Sequence, residues 1–343
     1  MTTSSPLVSS LGFVIFQITA ATVRLEVPNL LDTPKTADEL AALTGAHPRA
    51  LLRLLRAAAA TGLLRMTGSG AFELTELGAM FRSDSPTAGD ALVRLNSQAE
   101  VWKAWGTLEQ TVRDGRSSAF RLAHGVEAYE ALKDDPETAA LFHTAMASGT
   151  RDQLRHLIDC YDFGDARHVV DIGGGNGTHL AAILRAHPGL RGSVFDTANG
   201  AVEAADQLRR AGLSDRCDVV AGDFFDSVPP GADLYLMKNI LVDWDDDACV
   251  RILGNIRRAI APDGRLVVVG TVMPEDPSGA GADEFLSACI FDICLMITVN
   301  GWERTRSEYE SLFTKAGFAL ASMSRVGDGQ NTALFHKLEA RPV

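Results

Sequence analysis

The chain has 343 residues, 46% hydrophobic and 22% charged, a composition that supports a sizeable core and excludes a disordered or fibrous protein. Its formal charge of -12 and pI near 5.1 argue against a general nucleic-acid binder, which needs basic surface to displace counterions from phosphates. Five scattered cysteines (Cys160, Cys217, Cys249, Cys289, Cys294) form no C-x-x-C pair, so neither a disulfide frame nor a zinc site is indicated and a reducing cytoplasm fits best.

The apolar run Leu11 to Val23 is too short to span a bilayer, and no lysine or arginine precedes Arg24 to form a signal-peptide n-region, so it reads as a buried helix. A short helix follows over Asp38 to Leu43 with Thr36 as its cap, then a turn at Gly45. A second helix opens at Pro48, with Leu51, Leu54, Leu55 and Ala58 on one face. Two extended pieces, LLRMT and AFELT, turn at Gly68 and Gly70 and complete a winged-helix pattern. Residues 1–100 carry eight Lys/Arg against nine Asp/Glu, and so neutral a wing is expected to pack on protein rather than on DNA.

Residues 101–160 read as helical throughout. Trp102 and Trp105 share a face, and Phe142, Met146 and Leu154 recur at helical spacing; this stripe is either core or the wall of a ligand pocket. From His168 strands and helices alternate. HVVDI, GSVFD, CDVVAGD, DLYLMKNIL and RLVVVG are strands, helices are expected over Asn176–Ala186, Ala201–Ala211, Asp246–Ala261 and Arg304–Gly317, and closing strands near Ala319–Ser324 and Thr332–His336. The pattern is that of a doubly wound α/β sheet.

VDIGGGNG (Val170 to Gly177) lies between the first strand and helix of that sheet, where ligands bind. Its glycines meet the dinucleotide G-x-G-x-x-G register in no frame, and no P-loop Lys-Ser/Thr follows. Asp171 before the loop suits a cationic or amino-bearing ligand better than a pyrophosphate, and Asp196, closing the second strand, stands where an acid can hold ribose hydroxyls. An EF-hand reading of Asp243, Asp245 and Asp247 fails because Ala248 and Gly254 occupy the positions that need Gly and Glu, so no metal is expected. Asp245 to Asp247 instead fall in the first turn of a helix with an apolar stripe of Cys249, Ile252, Leu253, Ile256 and Ile260, where carboxylates complement the helix dipole.

With these motifs in this order, VDIGGGNG, the acid of SVFD, Asp223-Phe224 in AGDFF, LMKNIL followed by DWDDD, His124-Gly125, Phe142 to Met146 and Gly301-x-Glu303-Arg304-Thr305, the chain resembles the S-adenosylmethionine-dependent O-methyltransferases of the caffeate/hydroxyindole type, including bacterial natural-product tailoring enzymes. The likeness covers nearly the whole chain. It implies a winged-helix dimerisation domain over 1–100, a helical linker and pocket wall over 101–160 and a Rossmann-like methyltransferase domain over 161–343. For the cofactor S-adenosyl-L-methionine it implies Gly173 and Gly175 on the methionine portion, Asp196 on the ribose, Asp223 and Phe224 on the adenine, and Lys238 nearby. Met146, Met296 and Asn300 match substrate-lining positions, although the stretch between Asn300 and Glu303 is about two residues shorter than in plant members.

Val242 occupies the position where the family usually places histidine, the base for a phenol proton. A second family acid falls at Gly270, and Glu303 retains the third member. Glu303 and Asp243 are thus the candidate catalytic residues, with Val242 beside the substrate and His143 the candidate replacement base. The resemblance implies a cytoplasmic homodimeric methyltransferase acting on an aromatic or polyketide-like small molecule, with neither nucleic acid nor membrane as partner; the rival reading is a cofactor-binding enzyme of the same fold that decarboxylates, hydroxylates or cyclises.

Overall fold

Thr36 starts the first well-defined helix pair by local chemistry alone: its hydroxyl accepts the Glu39 N–H while the Glu39 carboxylate accepts the Thr36 N–H at 2.7 Å, a reciprocal capping box. The computed structural model describes residues 11–85, 87, 89–115, 117–164, 166–278, 281–326 and 335–343, and excludes the side chains of 143, 147–155 and 282. The chain divides into two units, one holding the residues up to Gly106 with Tyr129–Gly149, the other holding Thr107–Ala128 and Thr150–Val343.

In the first unit, α1 (Gly12–Arg24) is followed by α2 (Ala37–Thr44), which ends on left-handed Gly45, and by α3 (Pro48–Ala60) with proline in its first turn. Leu51, Leu55 and Ala58 are buried on the expected face of α3, and Leu54 is half-buried. Strands β1 (Leu64–Met66) and β2 (Phe72–Leu74) pair antiparallel to form the wing. The expectation of a wholly buried N-terminal helix holds only for its second half. Thr19, Ala20, Thr22 and Val23 are buried, whereas Phe13, Val14 and Ile15 are exposed.

The second unit is built on a sheet in the order β5-β4-β3-β6-β7-β10-β9, from β3 (His168–Ile172), β4 (Arg191–Asp196), β5 (Cys217–Ala221), β6 (Leu234–Lys238), β7 (Arg265–Met273), β9 (Phe318–Arg325) and β10 (Phe335–Pro342). A two-residue β8 (Arg304–Thr305) runs parallel to the end of β7, while β10 is antiparallel between β7 and β9. Successive residues of the central strands face opposite layers. Val170, Tyr235, Met237, Leu266 and Val268 pack with Ile252, Leu253 and Ile256 of α6 (Asp246–Ala259) and Leu312 and Phe313 of α8 (Arg306–Lys315). Val169, Leu234, Leu236, Val267 and Val269 pack with Leu180 and Leu184 of α4 (Thr178–Ala186) and with Ala204 and Leu208 of α5 (Ala204–Arg210). Burial on both faces is why these strands read as continuous apolar runs.

Three departures have physical causes. β6 stops at Lys238 rather than Leu241 because Asn239 turns left-handed (φ 53°), a conformation that asparagine tolerates, and a 3₁₀ turn follows over Leu241–Asp243. α7 (Ala282–Thr298) is not signalled by sequence periodicity: it is apolar on nearly every side, with Ala288 and Ile297 buried but Leu286, Ile290 and Phe291 exposed, so no single stripe announces it. The last strand extends to Pro342, and its sequence signal is weak because only Leu338 and Ala340 are buried while Lys337, Glu339 and Arg341 alternate with them; Thr332 to Leu334 lie outside the described residues.

Candidate active site

The strand order reverses between β3 and β6, so the loops leaving their C-terminal ends diverge and open a crevice. The glycine loop begins there. Gly173, Gly175 and Gly177 are all left-handed (φ 69°, 54° and 76°), which side chains disfavour. Gly173 N–H donates to the Phe195 carbonyl at 2.8 Å and Gly175 N–H to Asp196 Oδ2 at 2.9 Å, while Asp196 Oδ1 accepts the Thr197 N–H at 2.7 Å. A Cβ on Gly173 would overlap Ile240, whereas one on Gly175 would meet nothing within 4 Å, so the loop is open at Gly175.

Beneath it Asp171 is 2% exposed, and its Oδ2 has no hydrogen-bond partner among the described residues; a Cβ on Gly174 would stand 2.9 Å from that oxygen. Burial, with Asp196 adding to it and Lys238 opposing it, pushes the Asp171 carboxyl up to about 7. Burial brings the Lys238 ammonium down to about 8 against the pull of Asp171. His179 in the first turn of α4 is lowered to about 3 by burial and by Lys238, so its imidazole is neutral. Two carboxylates, an unpartnered Asp171 oxygen and open backbone at Gly175 fit a positively charged nucleoside, whereas a pyrophosphate would face like charge here.

Asp223 and Phe224 follow β5, and Gly222 N–H donates to the Asp196 carbonyl at 2.9 Å, which brings them beside Asp196. Asp223 is exposed and starts a turn, its Oδ1 accepting the Phe225 N–H at 2.8 Å. Phe224 is half-buried and edge-on to Phe225 and Trp244, with centroids 5.0 and 6.0 Å away.

The acid run after Val242 divides by task. Asp245 caps α6, its Oδ1 accepting the Ala248 N–H at 2.9 Å, and Asp246 and Asp247 lie in the first turn. Asp246 also receives Arg304, which is fully buried (0% exposed), donates to the carbonyls of Leu241 and Trp244 at 2.8 Å each, and stacks over Trp302 at 4.4 Å. Among the described residues no group of three or more His, Cys, Asp or Glu could hold a metal ion. Val242 is 6% exposed, and Gly301 lies against the backbone of Val242 to Trp244 so closely that a Cβ there would overlap the Val242 carbonyl. Gly301→Ala is therefore expected to lose about 1–3 kcal/mol of stability, read from the urea midpoint; an unchanged midpoint would show that this backbone contact yields freely.

Glu303 is largely buried beside β7. Thr271 of β7 acts on its carboxyl in favour of the charged form, the Glu303 N–H donates to Asp292 Oδ1 of α7 at 2.8 Å, and Oε2 has no partner among the described residues. Burial first, with the charges of Asp292 and Asp243 adding to it, pushes its carboxyl up to about 8. Asp243 is thus close enough to Glu303 to act on it electrostatically, whereas Gly270 faces Asn239 and the Tyr309 hydroxyl, with space for a Cβ. Met296 is half-buried in α7 and Asn300 is exposed just after it. Met146 is exposed on the helix Pro136–Cys160, and the His143 side chain lies outside the described residues.

Sequence reasoning missed Asp292, Thr271, His179 and the clamp made by Arg304. The one available signal for Asp292 was a single carboxylate inside the apolar run FLSACIFDICLMI.

Comparison with known proteins agrees with this geometry. The O-methyltransferase domain family matches residues 105–319, and the O-methyltransferase dimerisation domain family matches residues 8–84. The chain is 40% identical over 311 residues to the mitomycin biosynthesis 6-O-methyltransferase of Streptomyces lavendulae, covering 90% of this chain and 86% of the relative. It is 37% identical over 308 residues to the aclacinomycin 10-hydroxylase of Streptomyces purpurascens, covering 88% and 80%. It superposes with a TM-score of 0.81 and 30% identity, covering 96% of each chain, on an O-methyltransferase from neocarzinostatin biosynthesis in complex with S-adenosylmethionine and 2-hydroxy-5-methyl naphthoic acid. Motifs, fold and relatives agree: the chain belongs to the O-methyltransferase family, a family of S-adenosylmethionine-dependent enzymes, and carries that family's dimerisation domain.

Proposed function

We propose that this protein is a homodimeric methyltransferase that moves the methyl group of S-adenosylmethionine to a hydroxyl of a small aromatic or polyketide-like natural product. The observation that carries this reading is the Gly175–Asp196 hydrogen bond at 2.9 Å beside open backbone at the switch point of the sheet. In this reading Asp196 holds the ribose, Gly173 and Gly175 admit the methionine portion, Asp223 and Phe224 face the adenine, and Lys238 lies on the cofactor side. Met296, Asn300 and Val242 line the acceptor. When bound, the cofactor supplies an activated methyl on a positively charged sulfur, so alignment in a dry pocket is the main task left to the protein. The exposed Phe13, Val14 and Ile15 of α1 support a partner copy that covers them; sedimentation as a monomer at all concentrations would contradict the dimer.

Isothermal titration with S-adenosylmethionine and its demethylated product, together with transfer of labelled methyl into an aromatic product, tests the assignment. Absence of binding on folded protein would remove it. Valine at 242 and the 10-hydroxylase relative favour a second reading, in which the cofactor stays intact as a fixed positive charge during other chemistry. Unlabelled product formed over many turnovers would select that reading.

Valine accepts no proton, so no base stands at position 242 and simple phenols with a pKa near ~10 are expected to react slowly at neutral pH. Val242→His is expected to raise their turnover about tenfold or more, because a positioned base is worth roughly 10²–10⁴ in rate. Initial rates across a phenol series check this; no gain with cofactor affinity intact would count against Val242 facing the acceptor.

A further inference from the structure

We propose that Glu303 takes the acceptor's proton directly in this enzyme, and that Asp292 is the residue that positions it. The inference rests on the methyl-transfer reading above. The segment Gly301 to Arg304 is held from two sides. On one, Gly301 lies against the backbone of Val242 to Trp244, and Arg304 is bonded to the carbonyls of Leu241 and Trp244 and to Asp246. On the other, Asp292 of α7 accepts the Glu303 N–H at 2.8 Å. Between these anchors the Glu303 carboxyl lies next to Thr271 near the C-terminal end of β7, on the same edge of the sheet as the glycine loop. Oε2 of that carboxyl is buried with no partner among the described residues. A buried, unpartnered carboxylate oxygen is costly, so one that persists here marks a place for an incoming hydroxyl.

The groups that act on Glu303 come from the elements around it: Asp292 on α7, Asp243 on the 3₁₀ turn, Thr271 on β7 and Arg304 next in sequence, while Glu303 in turn acts on Tyr309 of α8. Burial and the two acids make it a far stronger base than an ordinary glutamate, with a carboxyl pushed up to about 8. In the step, the acceptor O–H bond breaks and its proton passes to Glu303. The freed oxygen pair forms the bond to the methyl carbon, and the pair of the broken carbon–sulfur bond stays on sulfur. Glu303 then releases the proton to solvent.

The test compares wild type with Glu303→Gln and Asp292→Asn in pH–rate profiles, with cofactor affinity measured by calorimetry as a check on folding. The wild-type rate is expected to rise with pH through a limb near 8. Glu303→Gln should lose that limb and fall about 10²–10⁴-fold with cofactor affinity unchanged. Asp292→Asn keeps an acceptor for the Glu303 N–H but removes a charge, so the limb should move to lower pH; a merely structural Asp292 would leave it in place. A second readout needs no turnover. A carboxyl held above its ordinary pKa binds more protons folded than unfolded, so wild-type stability falls as pH rises from the ordinary carboxylate range through about 8, and Glu303→Gln should lose less of it over that range. Turnover by Glu303→Gln at the wild-type rate, or an unmoved limb in Asp292→Asn, overturns the inference alone. No methylated product from wild type with any acceptor overturns the methyl-transfer reading and the inference with it.

Discussion

Replacing Arg304 with alanine is expected to cost about 3–5 kcal/mol of folding stability. The guanidinium is fully buried and ties together two stretches that lie more than fifty residues apart in sequence, donating to the carbonyls of Leu241 and Trp244, pairing with Asp246 and stacking over Trp302. Its removal leaves those two carbonyl oxygens with only weaker donors, chiefly the Cys249 thiol, and opens a cavity the size of a large side chain. Because the Asp246 carboxylate is half-exposed, the ion pair itself is the smaller part of that sum. Asp246→Asn is therefore expected to cost under about 1 kcal/mol, and Arg304→Lys, which lacks the planar fork, to behave more like alanine than like wild type. Urea unfolding of the three variants measures this; equal losses for Arg304→Ala and Asp246→Asn would assign the energy to the ion pair instead of the carbonyls.

Asp196→Ala is expected to weaken S-adenosylmethionine binding about 100-fold, roughly 2.7 kcal/mol, as follows from losing charge-assisted hydrogen bonds worth about 1.5–3 kcal/mol each. The carboxylate has two tasks: Oδ2 fixes the Gly175 N–H and Oδ1 the Thr197 N–H, so the residue shapes the loop before any ligand arrives. Asp196→Asn separates them, since an amide oxygen still accepts a backbone N–H but carries no charge and accepts fewer hydroxyls. An intermediate loss of affinity for the asparagine variant is expected by calorimetry. A change of less than threefold in both variants would remove Asp196 from the cofactor site.

Much of this site is visible before folding is considered. The loop VDIGGGNG and Asp196 at a strand end are local features, each read from residues that are neighbours in the chain, and the structure puts their backbone and carboxylate within hydrogen-bond reach. The acid run after Val242 was legible in the same way for Asp245, because capping depends only on the next three residues. Asp246 was legible only in part: its place in the first turn is local, but its pairing with Arg304 is not.

By itself, the sequence determined the winged-helix order, the alternating strands and helices, the glycine loop and the absence of histidine at 242, because all of these are written in short-range spacing and residue type. Only the tertiary structure decided that Asn239 would end β6, that a nearly all-apolar segment would form α7, and that Asp292, Thr271 and Asp243 would converge on Glu303. The reason is burial. A carboxyl's ionisation and its unpartnered oxygen depend on what chain folding brings around it from distant segments, and no local pattern encodes that surrounding.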